Sequence, residues 1–168
     1  EPVSVKVETN YSRAVQGGTG FSKAAGNYAA ALYPAMLASQ EGFRQLIWTD
    51  AKEHKYIEEA GTMNVLFVID NVLVTPIAGD TILNGITRKS VVEIAKDWGI
   101  EVQERKIEVQ EVFKSLKDGS LTEAFGADTA ATIAPISNIF LNGENFTIPE
   151  SRDHHFHTKV LKYLSEYK

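Results

Sequence analysis

Lys23 follows a glycine-rich loop, Gly17-Gly18-Thr19-Gly20, and is flanked by Phe21, Ala24, Ala25 and Gly26. A lysine among apolar and very small neighbours can lose its hydration, which lowers its pKa and frees a nucleophilic amine. The same composition also fits a surface lysine at a helix start. Glu58 and Glu59 precede the most apolar run of the chain, Val65-Leu66-Phe67-Val68-Ile69. A carboxylate there lies near the core, unless the two glutamates are a solvated pair at a strand edge. Asn84-Gly85-Ile86-Thr87 leads into a helical pattern, where free backbone N–H groups can bind a phosphate or Thr87 can serve as a plain N-cap. Gly126-Ala127-Asp128-Thr129-Ala130 reads as a second small-residue loop, offering a hydroxyl and a backbone N–H or merely a turn.

Other chemistries are disfavoured. His154, His155 and His157 invite a metal, but no helical i, i+4 pair and no recognisable carboxylate completes a ligand set, so they are assigned to the start of the last helix. The chain has no cysteine, which removes disulfides, thiolate metal sites and cysteine nucleophiles. Its net charge of −5 disfavours a nucleic-acid partner. The longest apolar run is far too short to span a bilayer, and the first residues show neither the basic region nor the apolar stretch of a signal peptide. A cytoplasmic location is expected.

At 168 residues, 43% of them hydrophobic, one domain with a real core is expected over 1–168. Val3, Val5 and Val7 alternate as a half-buried strand. Residues 27–40 read as an Ala-rich helix that Pro34 should kink or split. Leu46-Ile47-Trp48 and residues 65–69 read as strands, with Asp70-Asn71 turning into Val72-Leu73-Val74-Thr75. Residues 87–98 read as a helix ended by Gly99, 100–107 as a strand, and 109–116 as a short helix stopped by Asp118-Gly119. Residues 130–140 read as a strand before the turn Asn142-Gly143. Phe156, Val160, Leu161 and Leu164 make one stripe of a C-terminal helix. Interleaved strands and helices imply an α/β or α+β domain with a mixed sheet.

Four segments, in order, resemble the branched-chain amino-acid aminotransferases, members of the fold-type IV enzymes that use pyridoxal 5′-phosphate. They are Gly17 to Tyr28, Tyr56 to Asn64, Leu83 to Arg88 and Phe125 to Ala130. The resemblance implies a mixed sheet or pseudo-barrel with flanking helices, the large domain of that fold. It makes Lys23 the catalytic lysine that carries the cofactor, puts Tyr28 near the phenolic oxygen and sets Glu59 against the pyridine nitrogen. It has Ile86, Thr87 and Thr129 hold the phosphate, and Thr62, Thr129 and Ala130 meet the substrate. No metal is implied. The reaction implied is amino transfer between leucine, isoleucine or valine and 2-oxoglutarate, in a homodimer.

The pattern has departures. Asn84 stands where the family usually has proline, and Asp128 where a small residue is usual, so an acid is expected close to a phosphate. Ala131-Thr132-Ile133-Ala134 stands where some relatives carry Cys-x-x-Cys. Nothing matches the family's N-terminal small domain, which supplies an arginine for the phosphate, and the chain does not begin with Met. The expectation is therefore the large domain alone, weakly active or inactive. The alternatives are a D-amino-acid aminotransferase, an aminodeoxychorismate lyase, or a self-associating fragment without catalysis.

Overall fold

A computed structural model of the protein describes residues 1–130 and 132–167. Its elements run β1 (Val3–Val7), α1 (Ala25–Gln40), β2 (Gln45–Thr49), β3 (Ile57–Ala60), β4 (Met63–Ile69), β5 (Val72–Pro76), α2 (Ile86–Asp97), β6 (Val102–Arg105), α3 (Val109–Asp118), β7 (Leu121–Asp128), β8 (Thr132–Leu141), β9 (Glu144–Thr147) and α4 (Phe156–Ser165). The strands form one mixed sheet in the order β3-β2-β1-β8-β7-β4-β5-β6, with β9 on β8. β3 also pairs with β4, so β1, β2, β3, β4, β7 and β8 close on themselves as the expected pseudo-barrel. β1 runs parallel to both β2 and β8; the other pairs of the ring are antiparallel.

β4 is buried along its whole length because both of its faces are covered. Val65, Phe67 and Ile69 enter a core shared with Val5, Ile47, Ile139 and Val112. Leu66 and Val68 enter another, with Val91 and Ala95 of α2 and Phe156 and Val160 of α4. Period-two alternation is thus hidden inside a continuous apolar run, as in strands buried on both sides.

Two-residue connections set the register of the hairpins. Asp70 and Asn71 both have positive φ, as do Asn142 and Gly143, the signature of the primed turns that match strand twist. Gly61 (φ 59°) and Thr62 join β3 to β4, and a Cβ on Gly61 would meet Gln45 Oε1 at 1.9 Å.

Several expectations are corrected. α1 does not split at Pro34: the proline removes one ladder bond, but it is buried and the helix continues on both sides of it from Ala25 to Gln40. Gly126, Ala127 and Asp128 belong to β7 rather than to a loop, and only Thr129-Ala130 is the turn. Pairing of β7 with both β4 and β8 overrides the weak strand propensity of that segment. Glu58 and Glu59 are not a solvated pair, since all four residues of β3 are buried. Ala131, in the expected strand and in the place of the Cys-x-x-Cys, lies outside the described residues.

Candidate active site

The loop between β1 and α1 carries Lys23 two residues before the helix. Asn27, buried in the first turn of α1, ties this loop down: its Nδ2 donates to Thr19 O (2.8 Å) and Ser22 O (2.9 Å), and Thr19 Oγ1 lies 2.9 Å from its Oδ1. Gly20 approaches the loop before α2 so closely that a Cβ there would stand 2.8 Å from Thr81 Cα. Lys23 itself is exposed at the cleft, which is the surface alternative for this lysine and not the desolvated one. Small neighbours leave the amine reachable instead of covering it.

β3 sends its two glutamates to different places. Glu59 lines the cleft that Lys23 lines, whereas Glu58 lines a hollow of about 700 Å³ with Tyr56, Ile77 and Lys106. Alternation along a strand produces this separation. Glu59 Oε1 accepts the Leu83 N–H at 2.7 Å and lies 3.4 Å from Asn64 Nδ2, which also donates to Leu83 O at 2.7 Å. Glu59 Oε2 is 3.2 Å from Arg13 Nη2. Burial pushes the Glu59 carboxyl above the usual glutamate value, while Arg13, the Leu83 N–H and Lys23 pull it down. Glu58 is pushed up to about 7, chiefly by burial, and its Oε2 is buried without a partner.

α2 begins at Ile86 with Gly85 as its N-cap and no side-chain cap, so Thr87 is not the capping residue. The first N–H groups of the helix have no intrahelical acceptor, which leaves an anion site with the positive end of the helix dipole behind it. Gly85 packs against Asn64, whose Oδ1 would lie 2.3 Å from a Cβ there. Arg88 does not join the site: it is buried, and its Nη2 donates to Pro76 O and pairs with Glu104, each at 2.9 Å.

Lys23, Glu59, Thr62, Ile86, Thr87 and Thr129 therefore line one cleft of about 220 Å³, together with Asp128. Tyr28 and Arg13 line a narrow adjoining recess that shares Lys23, Glu59 and Thr62. Ala130 follows Thr129 in the turn without lining either space. Arg13 and Asn27 escaped the sequence reading, because nothing local marks a buried side chain that holds another.

This set fits pyridoxal phosphate. Lys23 offers an amine to the cleft, a buried carboxylate lines the same space, and hydroxyls with an uncapped helix start offer donors for a dianion. Asp128 opposes that fit, and Lys23 is the only cationic side chain lining the larger space among the described residues.

The three histidines sit as expected at the start of α4, but a carboxylate does meet them. Glu123 of β7 accepts the N–H of Phe156 (3.1 Å) and of His157 (3.0 Å), and the His157 ring approaches its Oε1 at 2.5 Å. His157 Nε2 lies 2.8 Å from Ser151 Oγ. Burial raises Glu123, yet the His157 ring and the two backbone donors outweigh it and hold the carboxyl below its usual value.

The family model for class IV amino-transferases matches residues 20–139. The chain is 48% identical over 148 residues to branched-chain-amino-acid aminotransferase 2 of Bacillus subtilis, covering 88% of this chain and 41% of that protein. It is 40% identical over 166 residues to branched-chain-amino-acid transaminase 1 of the same organism, covering 99% and 47%. Among solved structures, the Escherichia coli branched-chain aminotransferase matches with a TM-score of 0.79 at 28% identity, over 98% of this chain and 52% of that one. The Thermoproteus uzoniensis enzyme, solved with norvaline, matches with a TM-score of 0.80 at 28% identity, over 98% and 51%. The chain spans about half the length of these relatives or less.

Proposed function

From the premise that this chain belongs to the class IV aminotransferases, we propose that it is the cofactor-binding part of a pyridoxal-phosphate transaminase acting on branched-chain amino acids and 2-oxoglutarate. One observation carries the reading: Lys23 and Glu59 share a single cleft with the uncapped N-terminus of α2. The identities of 40–48% to branched-chain aminotransferases support the substrate class.

When bound, pyridoxal phosphate supplies an electron sink for the carbanion that forms at the amino acid's Cα. The chain's own residues do the rest. Lys23 offers the amine that holds the cofactor and, once released, moves the proton at Cα. Glu59 keeps a proton on the ring nitrogen by presenting a negative charge to it. The N–H groups of Ile86 and Thr87, with the hydroxyls of Thr87 and Thr129, receive the phosphate. Tyr28 orients the ring through its phenolic side, and Thr62, Thr129 and the Ala130 backbone meet the substrate.

Two further parts belong to this reading. The phosphate's arginine comes from an N-terminal small domain, so the chain by itself turns over weakly or not at all. The partner is a second copy: Tyr28, Leu32 and Met36 line up at i, i+4 on α1 with 41%, 71% and 48% of their surface exposed, an apolar stripe that association covers. Among the described residues no helix is long and apolar enough to cross a membrane. A cytoplasmic location goes with the same reading.

The test is an absorbance spectrum recorded as pyridoxal phosphate is added, followed by a transamination assay with leucine and 2-oxoglutarate. A visible band of protein-bound cofactor is expected, with little or no turnover in the assay. Absence of any protein-bound band at saturating cofactor contradicts the reading.

A further inference from the structure

We propose that Arg13 is the positioning residue that keeps Glu59 ionised and aimed into the Lys23 cleft. This rests on the cofactor reading above, but its geometry does not depend on a bound cofactor.

The carboxylate of Glu59 is gripped from two sides. Oε1 is held by the Leu83 N–H at 2.7 Å, from the loop that leads into α2. Oε2 is held by Arg13 Nη2 at 3.2 Å, from the loop that leads to Lys23. Both side chains are buried, at 8% and 5% exposure, so this is not a screened surface pair. Arg13 Nη2 also donates to Thr81 O, and Arg13 Nε is buried with no acceptor, so the guanidinium is placed by Glu59 and Thr81 rather than by a full set of its own bonds. Gly20 permits this arrangement, because only a residue without Cβ lets the Lys23 loop lie against Thr81.

Three titratable groups act on Glu59 through their charge: Arg13 and Lys23 on its own side of β3, and Glu58 from the other face. Lys23 is exposed, and its amine is committed to the cofactor in the proposed function, so it is no permanent counter-charge. Glu58 lines the separate hollow behind β3; burial pushes it up to about 7, so it is only partly ionised near neutral pH, and although its charge also feels Arg13, the Arg13 Nη2 lies against Glu59. Arginine stays protonated at any working pH, which makes Arg13 the fixed positive charge beside Glu59. Buried without it, Glu59 would take up a proton and could not stabilise a protonated ring nitrogen.

The experiment follows the Glu59 side-chain carboxyl by ¹³C NMR in cofactor-free protein labelled at glutamate, with the signal assigned by its loss in Glu59→Gln. Arg13→Met is expected to raise the titration midpoint of Glu59 by roughly one to three pH units, the usual effect of removing an arginine beside a carboxylate. An unchanged midpoint in folded Arg13→Met overturns the proposal. Should that variant not fold, Arg13→Gln carries the test: it keeps an amide donor for Thr81 O but no charge, so a rise of the same order is expected and an unchanged midpoint overturns the proposal.

A second readout is a double-mutant cycle on the Kd for pyridoxal phosphate. Arg13→Met is expected to weaken binding roughly tenfold, matching one pH unit of carboxylate ionisation, and to change it less than about twofold when Glu59 is already glutamine. A full effect in the Glu59→Gln background shows a role independent of Glu59 and overturns the proposal. A protein that shows the shifted midpoint but binds no pyridoxal phosphate retains the Arg13–Glu59 coupling and refutes only the cofactor reading.

Discussion

Gly20 and Thr81 touch backbone to backbone: a Cβ on the glycine would stand 2.8 Å from Thr81 Cα and 2.9 Å from Thr81 O. That contact locks the loop bearing Lys23 against the loop that donates Leu83 N–H to Glu59. Two walls of the cleft are thus set by one absent side chain. Gly20→Ala is expected to cost about 1–3 kcal/mol through overpacking and to lower Tm by roughly 5 °C. It should also weaken binding of pyridoxal phosphate. Calorimetry with a cofactor titration checks both, and an alanine variant as stable and as tight-binding as the parent contradicts the contact.

Glu58 and Glu59 should behave oppositely on substitution. In a complete enzyme Glu59→Ala is expected to abolish most cofactor-dependent chemistry, whereas Glu58→Ala leaves cofactor affinity within a few-fold. If Glu58→Ala proves the damaging change, the assignment of the two faces of β3 is reversed.

Stability should also record Glu58. Its folded value of about 7 lies above the ordinary 4.5, so the folded protein holds a proton that the unfolded chain has released. The resulting stabilisation is complete below about 4.5 and is lost as pH rises through about 7; at 1.36 kcal/mol per unit it amounts to roughly 3 kcal/mol. Glu58→Gln is therefore expected to flatten the fall in stability between those limits. Urea unfolding of both proteins at pH 5 and pH 8 checks it, and identical pH slopes contradict it.

Much of the architecture could be read from residue order, because the strongest local signals coincide with tertiary demands. Val65 to Ile69, the turns at Asp70-Asn71 and Asn142-Gly143, and the stop at Gly119 are of this kind. β3 and β7 were not legible as strands. Their residues, among them Glu58, Glu59, Gly126 and Asp128, have weak strand preference, and each strand is held by a neighbour on both sides: β2 and β4 for β3, β4 and β8 for β7. The site residues could be named through the order of four segments. Arg13, Asn27 and Glu123 could not: each acts through a partner at least eight residues away, and a buried supporting side chain leaves no periodicity. For Lys23 the neighbours allow either a desolvated or a surface amine, and the structure shows the surface one, since small neighbours in sequence say nothing of what covers a side chain in space.

Asp128 lines the same cleft as Ile86, Thr87 and Thr129, where a phosphate dianion would meet a like charge. Two charges near 4 Å in water interact by about 1 kcal/mol, so Asp128→Ser is expected to tighten pyridoxal phosphate binding about fivefold. Pyridoxal without its phosphate should show no such gain. Equal gains for both ligands contradict a charge effect.

Glu123 secures the start of α4 through two backbone N–H groups and the His157 ring. Its carboxyl is held below the usual value, so its contribution is present above the unfolded value and is lost as pH falls through the folded one. Glu123→Ala is expected to cost about 1–3 kcal/mol at pH 7, because the Phe156 and His157 N–H groups lose their buried acceptor, and the loss should be smaller well below the ordinary glutamate value of 4.5. Urea unfolding at the two pH values tests this. A loss that is constant with pH contradicts an ionised cap.

The central claim is that Lys23, across the cleft from the Arg13-held Glu59, is the amine that takes up the cofactor. Borohydride reduction of the protein with pyridoxal phosphate, followed by peptide mapping, tests it most directly. The label is expected on the peptide containing Lys23, and to be lost in Lys23→Ala; label on another lysine with Lys23 unmodified would contradict the account.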